Sequence, residues 1–216
     1  MFKIGINENV VLQSVSKNDK GTLVAGFKQV EEIDILEAMN SGRTNLEEPT
    51  KDVLFFPPTV KNFDGSSSDG KSMLKKISGF QDSLQHILLV YLKSDKIKWD
   101  LYKGVNAITS ENIYSKLENQ VNVDIICSNL VNQFIAFATP LLNNKVKFRM
   151  KLVRSKDKYT SLPKFPPFVE SQEVPLASTK LKFTPYEIQK GLDKPLNAEA
   201  TTVSSAEAEE AKSVFA

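Results

Sequence analysis

Between Lys145 and Leu152 the chain reads KVKFRMKL, with cations and apolar residues in strict alternation. Lys145, Lys147, Arg149 and Lys151 take the odd positions, and Val146, Phe148, Met150 and Leu152 the even ones. A period of two belongs to a strand with one face in a core and the other in water. On the wet face it would set cations about 6.5–7 Å apart, roughly the phosphate spacing of an extended single strand of nucleic acid. Arg154, Lys156 and Lys158 continue the charge into a turn, and Tyr159, Phe165 and Phe168 add aromatic rings beyond it. Eight basic residues lie between Lys145 and Lys164 against the single acid Asp157, a line of charge suited to a polyanion. The competing reading is a soluble edge strand, whose lysines discourage pairing with other sheets.

Catalytic patterns are missing. The sequence has no glycine-rich loop followed by Lys-Ser/Thr, no GxGxxG and no GxSxG. One cysteine, Cys127, and one histidine, His86, exclude an internal disulfide framework and the common zinc motifs. Cys127 sits among Ile125, Ile126 and Leu130, the setting of a small buried hydrophobe, and His86 falls in an apolar helical run as a structural residue. The acids Glu31, Glu32 and Asp34 could hold a divalent ion but read more simply as a solvated loop. The expected chemistry is binding without metal or cofactor, and not enzymatic.

The elements that must position the basic stretch follow from local patterning. Asn9 to Ser16 and Thr22 to Val30 read as two strands joined by the turn Asn18-Asp19-Lys20-Gly21, with Gly26 marking a bulge or sharp bend. Residues 31–49 turn acidic, with a short helix around Ile33, Leu36 and Met39 and an exposed loop after it. Asp52 to Phe56 is a brief apolar strand stopped by Pro57-Pro58. Adjacent phenylalanines on a strand point to opposite faces, so one of Phe55 and Phe56 needs cover or a ligand. Phe55 joins the candidate binding set on that ground.

The largest helical region has Met73, Leu74, Ile77, Phe80, Leu84, Ile87, Leu88 and Tyr91 at steps of three and four, with a break expected at Gly79. Trp99, beside Tyr102 and several lysines, fits either a core residue at a helix end or a stacking surface. A second helix opens near Ser110 as N-cap, breaks near residues 119–124, and runs to Pro140. From Leu196 the chain is rich in Ala, Glu, Ser and Thr and ends in the lone aromatic Phe215, the composition of a disordered tail.

The net charge of +2 conceals segregation, since residues 31–52 are acidic and residues 71–98 basic. No N-terminal signal pattern is present and no apolar run approaches bilayer length, so a cytoplasmic protein without membrane contact is expected. The fold expected is mainly β with a helical insertion (α+β), an elaborated OB-type barrel with a disordered C-terminal tail. Residues 1–185 would form an OB-like nucleic-acid-binding domain, with the insertion at about 71–139, and residues 186–216 a flexible tail. A generic α+β domain is the fallback.

The opening FKIGINENVVLQSVS, the hairpin after it, the strand VKFRMKLVR and the following YTSLPKFPPFVES resemble bacteriophage-encoded single-stranded-DNA-binding replication proteins. The resemblance covers under half of the chain. It implies a groove that binds single-stranded DNA through Lys145, Lys147, Arg149, Lys151, Tyr159 and Phe165, in replication or recombination in a host-cell cytoplasm. It also implies a tail that recruits replication proteins, although Glu207, Glu209 and Glu210 are a thin acidic set and Lys212 interrupts them. The reading from another class is a virion or scaffold protein whose basic strand is structural.

Overall fold

The computed structural model describes residues 2–30, 50–62, 64–92, 97–144, 146–155 and 159–194. Strand β1 (Gly5–Lys17) and strand β2 (Leu23–Gln29) form the hairpin. Its turn is fixed by Asn18, whose Oδ1 accepts from the backbone N–H of Lys20 at 3.0 Å and of Thr22 at 2.9 Å, while Gly21 takes φ +76°. The register slips between Leu12 and Ser14. Ser14 Oγ fills the space that a Cβ on the opposing Gly26 would need, so a larger residue at this bulge requires the Ser14 side chain to turn away.

Strand β3 (Thr50–Phe55) pairs with β2, and strand β4 (Phe148–Arg154) lies antiparallel on the other side of β1. Two short strands, β5 (Thr160–Ser161) and β6 (Val169–Ser171), both pair with β4. The result is an open six-stranded antiparallel sheet in the order β3-β2-β1-β4-β5, with β6 against β4 off that path. A second irregularity in β1 sets Glu8 and Asn9 opposite Arg149 alone, with Asn9 at φ +55°.

Four α-helices complete an α+β architecture among the described residues. Helix α1 (Gly70–Leu92) buries Met73, Ile77, Phe80, Leu84, Ile87 and Leu88, the stripe its periodicity predicts. It runs unbroken through Gly79, contrary to the expected break. Helix α2 (Ile113–Leu117) packs so close to the start of α1 that the Tyr114 backbone occupies the place of a Gly70 Cβ. Its N-cap is Asn112 and not Ser110.

Helix α3 (Gln120–Ala138) restarts at Asn119, whose Oδ1 accepts from Val121 N at 2.9 Å. Together with the 3-10 turn that follows, Gln120–Leu142 is a 23-residue stretch long and apolar enough to cross a bilayer, which corrects the expectation that none exists. Its buried face, Val123, Ile126, Cys127, Leu130, Val131, Phe134 and Ala138, belongs to the protein's own core. That core is one cluster in which α1 and α3 meet the inner sheet residues Val10, Leu12, Phe27, Phe148, Met150 and Leu152. The Phe27 and Phe148 rings meet edge-on at 6.0 Å.

Helix α4 (Pro185–Gln189) is held by a capping box between Thr184 and Glu187. It straddles the boundary expected at 185/186, and ordered backbone continues to Lys194, with Arg154 N–H donating to Leu192 O at 2.8 Å. The acidic segment 31–49 and the tail 195–216 lie outside the described residues, and with them Glu31, Glu32, Asp34 and Phe215.

Candidate nucleic-acid interface

The alternation in β4 places Phe148, Met150 and Leu152 in the core, yet the opposite face is not wet. Arg149 is 7% exposed and Lys151 only 2%. Arg149 Nε donates to Glu8 Oε1 at 2.9 Å and its Nη1 to the Val174 carbonyl. Lys151 Nζ donates to Glu187 Oε2 at 3.1 Å and to Lys182 O at 3.2 Å, and lies 5.9 Å from the Phe183 ring centre. The physical reason is cover: the segment from Val174 to Leu192 crosses the face expected to be bare. Buried cations persist only where carboxylates and carbonyls meet them, and this segment supplies both. Arg149 and Lys151 are therefore withdrawn from the groove.

Glu187 completes this arrangement. Burial pushes its carboxyl up, but hydrogen bonds from the Thr184 N–H and Lys151, with the Lys151 charge, together hold it below the ordinary carboxylate range.

The remaining expected residues divide three ways. Lys147 and Arg154 are half-buried, whereas Tyr159 and Phe165 are 74% and 66% exposed. Lys145, Lys156 and Lys158 lie outside the described residues. Phe55 is a core residue, and its neighbour Phe56, 70% exposed, is the one that stands free of the core. Strand alternation requires one of the pair to be outside, and it is Phe56; Phe55 is buried, although it borders the larger cleft.

The exposed cations and rings converge elsewhere, where the β3 edge, α1 and the 160–168 stretch enclose two adjoining clefts. The larger, about 730 Å³, lies between Lys51–Phe55 on β3 with Phe56 just after it, Phe80 and Ser83 on α1, and residues 160–164. The smaller, about 480 Å³, shares Phe56, Phe80, Ser83 and Lys164 with it and extends past Lys75, Lys76, Gly79 and Phe165. Among the described residues four lysines, Lys51, Lys75, Lys76 and Lys164, line the pair, against the single carboxylate of Asp52.

Local structure orients these side chains. Lys51 Nζ spans the two ends of the sheet path, donating to Thr160 O and Thr160 Oγ1, both at 2.8 Å. Partial burial lowers its pKa. Lys76 Nζ is held by Asn62 Oδ1 at 3.0 Å and by Ser68 Oγ, both from the turn-rich loop before α1. Asp69 Oδ1 accepts from Ser72 N at 2.7 Å and fixes the first turn of that helix. Lys164 sits 5.3 Å from the Phe165 ring centre, a cation–π contact that steadies the exposed ring.

The far wall depends on His86. Its Nε2 accepts from the backbone N–H of Phe168 at 3.2 Å and of Val169 at 3.3 Å, while its ring meets Phe168 edge-on at 5.1 Å. Accepting at Nε2 requires an unprotonated nitrogen, and burial lowers the His86 pKa in the same sense, only partly opposed by the Val169 backbone and the Glu170 charge. Trp99 is structural: Nε1 donates to Gln85 Oε1 at 2.9 Å, and its ring packs edge-on against Phe137. Cys127 is buried and its thiol is pushed up to about 12, which leaves it unreactive at neutral pH.

Sequence reasoning counted Lys164 at the end of the basic run and left Lys75 and Lys76 within the basic segment 71–98, but assigned none of them, nor Lys51, to the site, because only the tertiary fold brings them together. The usable signals were the adjacent phenylalanines and the exposed lysines opposite the α1 stripe. Comparisons of the chain with protein-family models, curated proteins and solved structures return no match.

Proposed function

We propose that the protein binds single-stranded DNA, with little sequence preference, along the paired clefts between β3, α1 and the 160–168 stretch. The observation that carries the reading is the convergence of Lys51, Lys75, Lys76 and Lys164 with the exposed rings of Phe56 and Phe165. Lysines answer phosphates without reading sequence, and exposed aromatic faces are useful only to bases that are not already stacked in a duplex. Binding of this kind serves replication or recombination, where single strands need cover.

The strand order supports a finer reading of the fold as an elaborated OB-type barrel. A β1-β2-β3 meander is followed by helices, then by β4 returning beside β1 and β5 beside β4. Its free ends are β3 and β5, which the Lys51–Thr160 contacts bridge. In OB folds the strand 2–3 face and the loop between strands 4 and 5 take up single strands, and here that loop carries Tyr159.

One observation favours the scaffold or virion reading: the most basic strand among the described residues is occupied by carboxylates of the same chain, through Arg149–Glu8 and Lys151–Glu187. A fluorescence-anisotropy titration with a thirty-base oligonucleotide separates the two. Four lysines in contact with phosphates give a log–log salt slope of about −3 for single strands. No binding at low salt leaves the scaffold reading.

A further inference from the structure

Gly79 stands in the interior of α1, where glycine is about 1 kcal/mol less favourable than alanine. Nothing among the described residues requires it. A Cβ built there meets no atom within 4 Å, and its φ is not among the positive ones. This contrasts with Gly26 and Gly70, whose Cβ positions are taken by Ser14 and by the Tyr114 backbone. Gly79 lines the smaller cleft, whose other walls include Phe56, Phe165, Lys75, Lys76 and Lys164. Ser83, one turn on, turns its hydroxyl back to the Gly79 carbonyl at 2.9 Å, so the helix surface stays low there.

We propose that Gly79 is the floor of a base-stacking subsite, in which one unpaired base is taken up between Phe56 and Phe165 while the lysines meet the flanking phosphates. This deepens the single-strand reading above and rests on it. The cleft has the size of an ordinary ligand pocket, which runs from roughly 300 to 1,000 Å³. Its chemistry matches a nucleotide from both sides. Phe56 and Phe165 are 70% and 66% exposed, Phe165 carrying Lys164 Nζ over its ring, so at least one face of each is available for stacking, and the ammonium groups around them complement phosphate. A side chain at position 79 would fill the space under the base and leave the cations where they are.

The test uses the full chain and two thirty-unit strands, oligo-dT and an abasic strand with the same phosphates. The variants are Gly79→Ala, Gly79→Leu and Phe165→Ala, each checked by thermal unfolding. Gly79→Leu is expected to weaken oligo-dT binding about tenfold, the size of one base–aromatic stack, with abasic binding and the salt slope unchanged. Gly79→Ala keeps the fold and gives a smaller loss in the same direction. Phe165→Ala mimics Gly79→Leu. If Gly79→Leu binds oligo-dT as tightly as the parent, or loses oligo-dT and abasic binding equally, the subsite is overturned and single-strand binding stands. If the parent protein binds neither strand, the single-strand reading itself fails.

Discussion

Strand β4 and the cleft between β3 and α1 both carry cations and aromatic rings, but they hold them in different environments. In β4 the cations lie in one sequence run and are sequestered: Arg149 against Glu8, Lys151 against Glu187. Around the cleft they come from β3, α1 and the 160–168 stretch, far apart in sequence, and all but Lys51 are exposed. A run of charge therefore reports on composition, while availability depends on what crosses the face. Here the partners of β4 lie 141 residues upstream and 36 downstream, beyond any local pattern.

The largest effects are expected in β4. Phe148→Ala should destabilise the fold by about 3–5 kcal/mol, because the ring is wholly buried. Lys151→Ala should cost about as much, roughly 3–5 kcal/mol, since it strands the Glu187 carboxylate. Denaturant titration of both variants checks whether the two faces of this strand are equally intolerant. A Lys151 variant as stable as the parent would restore the wet face.

Acid should weaken the fold in two steps. The pKa of His86 is held below its ordinary 6.5, so its contribution is present above about pH 6.5 and is lost as pH falls toward the lower folded value. Glu187 is held below its ordinary 4.5, so the Lys151–Glu187 contribution is present above about pH 4.5 and is lost below it. Denaturant unfolding between about pH 7.5 and about pH 3.5 should show both losses, and Glu187→Gln should flatten only the lower one. An unchanged profile in that variant would remove the buried pair from the account of β4.

Gly79→Ala is expected to raise stability by about 0.5–1 kcal/mol, since α1 gains a better helix former without a clash. The smallest effects belong to the cleft lysines. Lys75→Ala and Lys164→Ala should each change stability by less than about 0.5 kcal/mol, as exposed residues do. Thermal unfolding distinguishes this from the β4 outcome.

Much of the fold was legible locally. The Asn18–Gly21 turn and the flanking alternation specify the β1–β2 hairpin, and the three-and-four spacing from Met73 to Leu88 specifies α1. The inner face of β4 was legible for the same reason, because a period of two survives whatever covers the other side. The break at Gly79 was misread, since packing of Ile77, Phe80 and Leu84 outweighs one unfavourable residue. The candidate site was legible only in part. Phe165 and the Phe55–Phe56 ambiguity were visible, whereas the gathering of Lys51, Lys75, Lys76 and Lys164 depends on tertiary structure alone.

The most direct test of the central claim, that cations of the cleft and not of β4 meet single-stranded DNA, is the salt dependence of oligonucleotide binding. The parent protein should give a log–log slope of about −3, and the triple variant Lys75→Ala, Lys76→Ala, Lys164→Ala a slope of about −1, each lost phosphate contact removing about 0.7. Lys147→Ala, just before β4, should leave the slope of the parent unchanged. A triple variant that keeps the parent slope, or a Lys147→Ala variant that loses it, would contradict the assignment.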